Sequence, residues 1–255
     1  MEMARSIIPF MAVICALTNP ADAHGSDPHG APWSYDGRKG PVNWGKLSEK
    51  YTLCSKGHKQ SPVDLKAMQK SPIPNLAFAY EPTPLRVVNN GHTIQFNAEH
   101  NNTLRFSDSP EKWDLVQWHF HTPSEHRIGG REFPLEVHLV HKNAAGNLAV
   151  VGVLFTEGSF NPFLETLWLH APEVEGKERI IEGVSVDPKL LLPDRKDYFS
   201  YEGSLTTPPC TEGVRWTVME MTLEASKEQM AGFRKFFVMN ARPTQPLHER
   251  HLLRK

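Results

Sequence analysis

Two short stretches carry the residues best suited to chemistry: Gln117-Trp118-His119-Phe120-His121 and Glu136-Val137-His138-Leu139-Val140. On a β-strand, residues two apart share a face. Gln117, His119 and His121 therefore point one way, and Trp118 and Phe120 the other. By the same rule Glu136, His138 and Val140 share a face, and His141 lies opposite. If the two strands are neighbours, three imidazoles converge on one point. Three neutral His ligands leave the fourth position of a tetrahedral zinc ion open, the arrangement of a catalytic rather than a structural site. A zinc-binding imidazole also needs an acceptor for its other ring nitrogen, and Gln117 and Glu136 sit on the faces from which they could supply one. A His-x-His pair is weak by itself: with 13 His in 255 residues, about 0.7 such pairs arise by chance. The third His with a same-face Glu adds weight. Spacing alone still leaves a plain alternative open, a set of satisfied or exposed histidines in an antiparallel sheet.

These residues need strands to hold them. Residues 93–96, 115–122, 135–141, 148–155 and 214–221 are rich in β-branched and aromatic types and read as strands. Turn residues separate them: Asn89-Asn90-Gly91, Gly129-Gly130, Asn143 to Asn147, and Gly203. Two helices are expected. Asn161 is placed to cap the first, Pro162 suits its opening position, and Phe163, Leu164, Leu167 and Trp168 follow at helical spacing before Ala171-Pro172. Ser226 with Gln229 forms a capping-box pattern for the second, followed by an apolar stripe of Met230, Phe233 and Phe237. The result is a mostly β chain of α+β type, with a few surface helices and 21 prolines in its loops.

Nothing between residues 33 and 250 resembles a linker, so a single domain is expected, and 39% hydrophobic residues suffice for a substantial core. The first residues read differently. A basic Arg5, an apolar run from Ser6 to Thr18 and Ala21-Asp22-Ala23 form a cleavable export signal over residues 1–23, leaving a domain over 24–255. The run is too short to span a bilayer comfortably, so no membrane association is expected after cleavage. Cleavage leaves 27 basic and 27 acidic residues, a balance that gives no electrostatic case for nucleic acid. A periplasmic or secreted location follows. The mature chain keeps Cys54 and Cys210, which in an oxidising compartment suggest one disulfide, with two unpaired buried thiols as the alternative.

Beyond the histidine stretches, the chain resembles the α-class carbonic anhydrases, of bacterial exported type. The likeness runs through Trp33-Ser34-Tyr35, Gln60-Ser61-Pro62-Val63-Asp64, Asn89-Asn90-Gly91-His92, Ser124-Glu125-His126, Ser204-Leu205-Thr206-Thr207-Pro208-Pro209, Val214-Arg215-Trp216 and Arg242-Pro243-Thr244-Gln245-Pro246-Leu247. It covers nearly the whole mature chain in order. The resemblance implies a large central mixed, mainly antiparallel twisted sheet and a disulfide between Cys54 and Cys210. It also implies cis peptide bonds at Ser61-Pro62 and Pro208-Pro209.

The implied activity is reversible hydration of carbon dioxide to bicarbonate. By resemblance His119, His121 and His138 hold Zn2+ with a water in the fourth position. In that family the metal lowers the water's pKa to about 7, so that hydroxide exists at neutral pH. Thr206 and Glu125 match the hydroxyl and buried carboxylate that orient it. Val140, Val150, Leu205, Val214 and Trp216 match an apolar wall for the substrate, with Thr207 beside it. His92 matches the proton shuttle, and Tyr35, Asn90, Gln95 and Gln117 the polar side that holds connecting waters. A shuttle is needed because water removes a proton from an acid of pKa near 7 at no more than roughly 10³ s⁻¹. Sulfonamide and anion inhibitors are expected ligands. His126 and His141 are expected to satisfy buried partners, while His24, His29, His58, His100, His170, His248 and His251 have no assigned role. Two rivals are a non-catalytic binding module on the same fold and a zinc-dependent esterase. The sequence leaves oligomeric state open, a homodimer included.

Overall fold

The computed structural model describes residues 31–66, 69–99 and 101–255. The export signal over residues 1–23, and His24, His29 and His100, lie outside the described residues.

Eight strands form the spine of the main sheet: β1 (Thr83–Asn89), β2 (Ile94–Asn97), β3 (Trp113–His121), β4 (Leu135–Asn143), β5 (Leu148–Glu157), β6 (Arg179–Val186), β7 (Tyr198–Ser204) and β8 (Glu212–Met219). Their spatial order is β6-β1-β2-β3-β4-β5-β8-β7, with short strands at Leu253–Arg254 and Gln69–Lys70 beyond β7. Along this spine the neighbours are antiparallel except β5 and β8, so the sheet is mixed and mainly antiparallel.

The two faces of the sheet bury different things. On one, Phe96, Trp118, Phe120, Val137, Leu139, Val151, Val153 and Phe155 form the larger core. It is covered by α1 (Pro162–His170) through Phe163, Leu164 and Leu167 and by α2 (Lys227–Arg234) through Met230 and Phe233. On the other, Val140, Val150, Leu154, Val214, Trp216 and Val218 form a second core beside the histidines. Being buried on both faces, β5 reads as an unbroken apolar run rather than an alternating one.

Both helices begin as their sequences predict. The Asn161 side chain accepts from the N–H groups of Phe163 and Leu164 at 3.1 and 3.2 Å, and the Ser226–Gln229 box is closed in both directions. Gln229 also reaches across, accepting from Asn161 N–H at 2.8 Å and donating to its carbonyl at 2.7 Å. One glutamine thus anchors two helix starts.

Several boundaries differ from the sequence expectation. The stripe of Met230, Phe233 and Phe237 does not stay helical, because α2 ends at Arg234 and Phe237 packs back on Phe233 from the segment beyond. That segment must leave the helix to bring Asn240 under the histidines. The last expected strand spans Glu212–Met219 instead of 214–221. Strands β1, β6 and β7 were not expected. β1 includes Pro84 as its second residue, β6 is an edge strand with almost no buried face, and β7 carries Ser200, Glu202 and Gly203. Peptide bonds Ser61-Pro62 and Pro208-Pro209 are cis as implied, and Thr122-Pro123 is a third.

Candidate metal centre and active site

Pairing register brings the histidines together. His119 on β3 lies opposite His138 on β4, and His121 lies opposite Glu136. A bulge precedes them: Leu115 faces His141 while Gln117 faces Val140, leaving Val116 as the extra residue. Strict alternation would have put Leu115 on the histidine face. The bulge sends it, with His141, to the opposite core. One ring nitrogen from each of His119, His121 and His138 lies within 4.8 Å of the others, and all three side chains are buried.

Each ring is turned by a partner on its far nitrogen. Gln117 Oε1 accepts from His119 Nδ1 at 2.8 Å, the Asn240 carbonyl from His121 Nδ1 at 2.7 Å, and Glu136 Oε1 from His138 Nε2 at 2.8 Å. The nitrogens left facing inward are therefore Nε2, Nε2 and Nδ1. His121 Nε2 is buried with no hydrogen-bond partner. Burial lowers the pKa of His121 to about 4 and lowers that of His138, so both are neutral at pH 7, the form that binds a metal. An orphaned buried nitrogen at the meeting point of three buried imidazoles fits Zn2+.

Glu136 is the centre of the supporting network. Oε1 accepts from both His126 Nδ1 and His138 Nε2, and Oε2 from the N–H groups of Glu125 and His126 at 2.8 Å each. Burial by itself would raise its pKa, but the electrostatic pull of the His126 and His138 rings and the hydrogen bonds they donate hold the carboxyl well below the usual range. His126 Nε2 continues to the Tyr201 hydroxyl at 2.6 Å, which meets Ser61 Oγ at 2.9 Å. Gly152 of β5 leaves the room: a Cβ there would lie 3.0 Å from Glu136 Oε1.

Glu125 is buried, as the resemblance implies. Its Oε1 accepts from Arg242 N–H at 2.8 Å, and Oε2 lies 3.6 Å from His121 Nε2. Burial pushes this carboxyl up to about 7, against the pull of His138, the Arg242 N–H and a side-chain hydrogen bond from Thr206.

A sequence profile of the eukaryotic-type carbonic anhydrases matches residues 39–255. The chain belongs to the α-carbonic anhydrase family. It is 43% identical over 223 residues to a carbonic anhydrase of Nostoc, covering 86% of this chain and 84% of that one. A carbonic anhydrase of Pectobacterium carotovorum is 41% identical over 248 residues, 96% and 97% of the two chains. The structure of the Thermovibrio ammonificans α-carbonic anhydrase with the inhibitor sulfanilamide superposes with a TM-score of 0.84 at 42% identity, covering 88% of this chain and 99% of that one.

The remaining residues matched to this carbonic anhydrase family lie partly beside the histidines, with the Trp216 ring centroid 4.9 Å from that of His138. Val140, Val150, Val214 and Trp216 are buried in one cluster, with half-buried Leu205 packed on it. Thr206 is buried and Thr207 half-buried. On the polar side, Asn90 Nδ2 donates to Gln95 Oε1 at 3.3 Å, and Gln95 lies opposite His119 across β2 and β3. His92 is half-buried and stacked on Trp33, ring centroids 3.6 Å apart and 9° from parallel. Burial lowers its pKa while Glu175 raises it. Tyr35 packs edge-on against Trp33, and burial together with the charge of Glu125 raises its pKa well above the usual value. Cys54 and Cys210 are bonded, Cα atoms 5.0 Å apart. His126 and His141 are buried and paired, His141 with the Tyr80 hydroxyl and the Ala149 carbonyl.

Asn240 escaped the sequence reading. Besides holding His121, it accepts from Thr122 N–H at 2.8 Å and donates to the carbonyls of Phe120 and His92 at 2.9 and 3.1 Å. A backbone carbonyl carries no side-chain signature, so nothing in one sequence marks the residue that supplies it.

Proposed function

We propose that this chain is a zinc lyase catalysing the reversible hydration of carbon dioxide, with His119, His121 and His138 as the metal ligands. The observation that carries the reading is the convergence of three ring nitrogens whose far sides are each fixed by Gln117, Asn240 or Glu136. Bound zinc supplies Lewis acidity, lowering the pKa of a coordinated water to about 7 in this family. The chain does the rest. As the family resemblance implies, the Thr206 hydroxyl donates to the Glu125 carboxylate, whose Oε2 is buried with no other hydrogen-bond partner. The Thr206 oxygen is then left to accept from a nucleophile and hold it in one orientation. Val140, Val150, Leu205, Val214 and Trp216 offer a small apolar substrate dispersion contacts and no competing dipole. His92 takes up the released proton and passes it to buffer, a task suited to an imidazole.

Carbon dioxide hydration should be followed by stopped flow on protein beginning at His24, before and after zinc is stripped and restored. Fast hydration that leaves and returns with zinc is expected, as is inhibition by sulfanilamide. Correctly folded, zinc-loaded protein without hydration would leave a binding module and sink the enzyme reading. We further propose export to the periplasm or beyond, consistent with the Cys54–Cys210 bridge. Export from a bacterial host should give a product whose mass starts at His24, and an uncleaved intracellular chain would refute it.

A further inference from the structure

His92 sits on a turn whose own hydrogen bonds trace outward to a carboxylate at the sheet edge. Asn90 Oδ1 accepts from the backbone N–H groups of His92 and Thr93 at 3.0 and 2.9 Å. Asn90 Nδ2 donates to Gln95 Oε1 at 3.3 Å, and Gln95 Nε2 donates to Asn97 Oδ1 at 2.7 Å. Asn97 Nδ2 in turn donates to Glu178 Oε2. Glu178 Oε1 is held by Arg86 Nε at 2.9 Å and by Nη2 of the same guanidinium.

An amide side chain can present either its oxygen or its nitrogen to a neighbour, so a chain of amides has no inherent direction. Here both ends impose one. The Glu178 carboxylate, gripped by Arg86, only accepts, so Asn97 must offer it Nδ2, which turns Oδ1 toward Gln95. Gln95 must then offer Nε2 outward and Oε1 toward Asn90. At the inner end two backbone N–H groups only donate, which demands Asn90 Oδ1. The two constraints agree at every link. Strand pairing explains why the outer group is within reach. Arg86 on β1 lies opposite Asn97 on β2, and Ile180 on β6 pairs with Arg86 on its other side, two residues after Glu178. The same connecting segment grips the turn elsewhere: Asn89 Nδ2 donates to the carbonyls of Pro172 and Glu173, and Gly176 N–H donates to Asn89 O at 3.0 Å. Gly91, at φ +82°, leaves space that the Glu175 carboxylate fills, 2.8 Å from where a Cβ would stand. The charged groups facing this corner are thus Arg86, Glu99, Glu175 and Glu178.

We propose that Glu178 is a positioning residue for proton delivery, setting through Asn97, Gln95 and Asn90 both the placement of the His92 turn and the direction in which the Gln95 amide meets the site. It touches neither substrate nor metal. The inference deepens the proposed function and rests on it for the role of His92.

The test exploits direction. Asn97→Asp keeps an acceptor for Gln95 but sets two carboxylates against each other. Adding Glu178→Gln reverses only the outermost bond: the new amide donates to the new carboxylate, and the inner links keep their sense. In zinc-loaded enzyme at saturating carbon dioxide and weak buffer, N97D and Glu178→Leu should lower kcat by about tenfold, with kcat/KM within twofold. Imidazole should restore the loss, and hydrogen exchange at the His92 backbone amide should quicken. N97D with E178Q should recover both readouts. Unchanged kcat and unchanged His92 exchange would overturn the proposal. So would a parallel fall of kcat and kcat/KM, or a folded double variant that recovers neither readout. Should wild-type zinc protein fail to hydrate carbon dioxide at all, the enzyme reading falls, while His92 exchange in the same variants still decides whether the chain orders the turn.

Discussion

Among single residues, Glu136 has the clearest physical role. It receives four hydrogen bonds from donors on two histidines and two backbone amides, and every one favours the ionised carboxylate. Glu136→Gln brings an NH2 group against donors that have nothing to offer it. Zinc affinity measured by chelator competition should fall by about 10- to 100-fold, with His138 the loosened ligand. Equal affinity would mean that His138 needs no acceptor. His141, on the opposite face, gives a pH prediction. Burial lowers its pKa to about 4 against an ordinary 6.5, so the unfolded chain takes up the proton first. Its contribution is intact above pH 6.5, declines as pH falls through the window from 6.5 to 4, and costs roughly 3 kcal/mol at the lower end. Urea unfolding of metal-free wild type and His141→Gln between pH 7 and 4.5 should show a shallower acid decline in the variant. Parallel declines would contradict the assignment. Both roles were legible in part: alternation put Glu136 beside His138 and sent His141 to the other side.

At the scale of elements, the site depends on which residues meet across strands. Gly152 lies opposite His138 on β4 and opposite Val218 on β8. Adding a methyl there places it 3.0 Å from the Glu136 carboxylate, a contact that must open by a few tenths of an ångström. Gly152→Ala should therefore weaken zinc binding more than it changes the melting temperature, whereas a purely packing role would move the melting temperature alone. The helices were readable because their caps are local: Asn161 and Ser226 bond within three residues. Asn161→Ala should cost about 1 kcal/mol in urea unfolding, and a cost near zero would show that Gln229 holds the helix start unaided. The bulge at Val116 and the edge strand β6 were not readable. A bulge is a mismatch between two strands, and β6 has hardly any buried face to leave an alternating pattern.

Across the whole molecule, Arg242 joins segments far apart in the chain. Its guanidinium, buried and with its pKa lowered to about 10 by that burial, donates to Gln60 Oε1, Ser61 O and Cys54 O at 3.0, 2.7 and 2.9 Å. Its backbone N–H holds Glu125, and Gln60 Nε2 reaches the Cys210 carbonyl at 3.0 Å. The disulfide, the Thr206 loop and the Glu125 carboxylate thus share one polar scaffold. Closing a loop between cysteines 156 positions apart is worth up to about 5 kcal/mol in the chain-entropy model. Reduction should free the loop carrying Leu205 and Thr206 first, so hydration activity should disappear at a lower urea concentration than tryptophan fluorescence reports unfolding. Coincident transitions would mean that the bridge stabilises only the fold as a whole.

The sequence by itself determined the side-chain chemistry and the faces: three histidines, their acceptors Gln117 and Glu136, the apolar wall and the two capped helices. The histidines and their acceptors follow from residue type and a period of two, the helices from local caps and helical spacing, and the apolar wall from the likeness to a known family. Only the tertiary structure decided that β3 and β4 pair with His119 opposite His138 and that the Asn240 carbonyl turns His121. It likewise decided that Glu178 closes a line of amides ending at His92. Those contacts join residues separated by 19, 119 and 86 positions. No periodicity reports a partner that far along the chain; only packing brings it within hydrogen-bond reach.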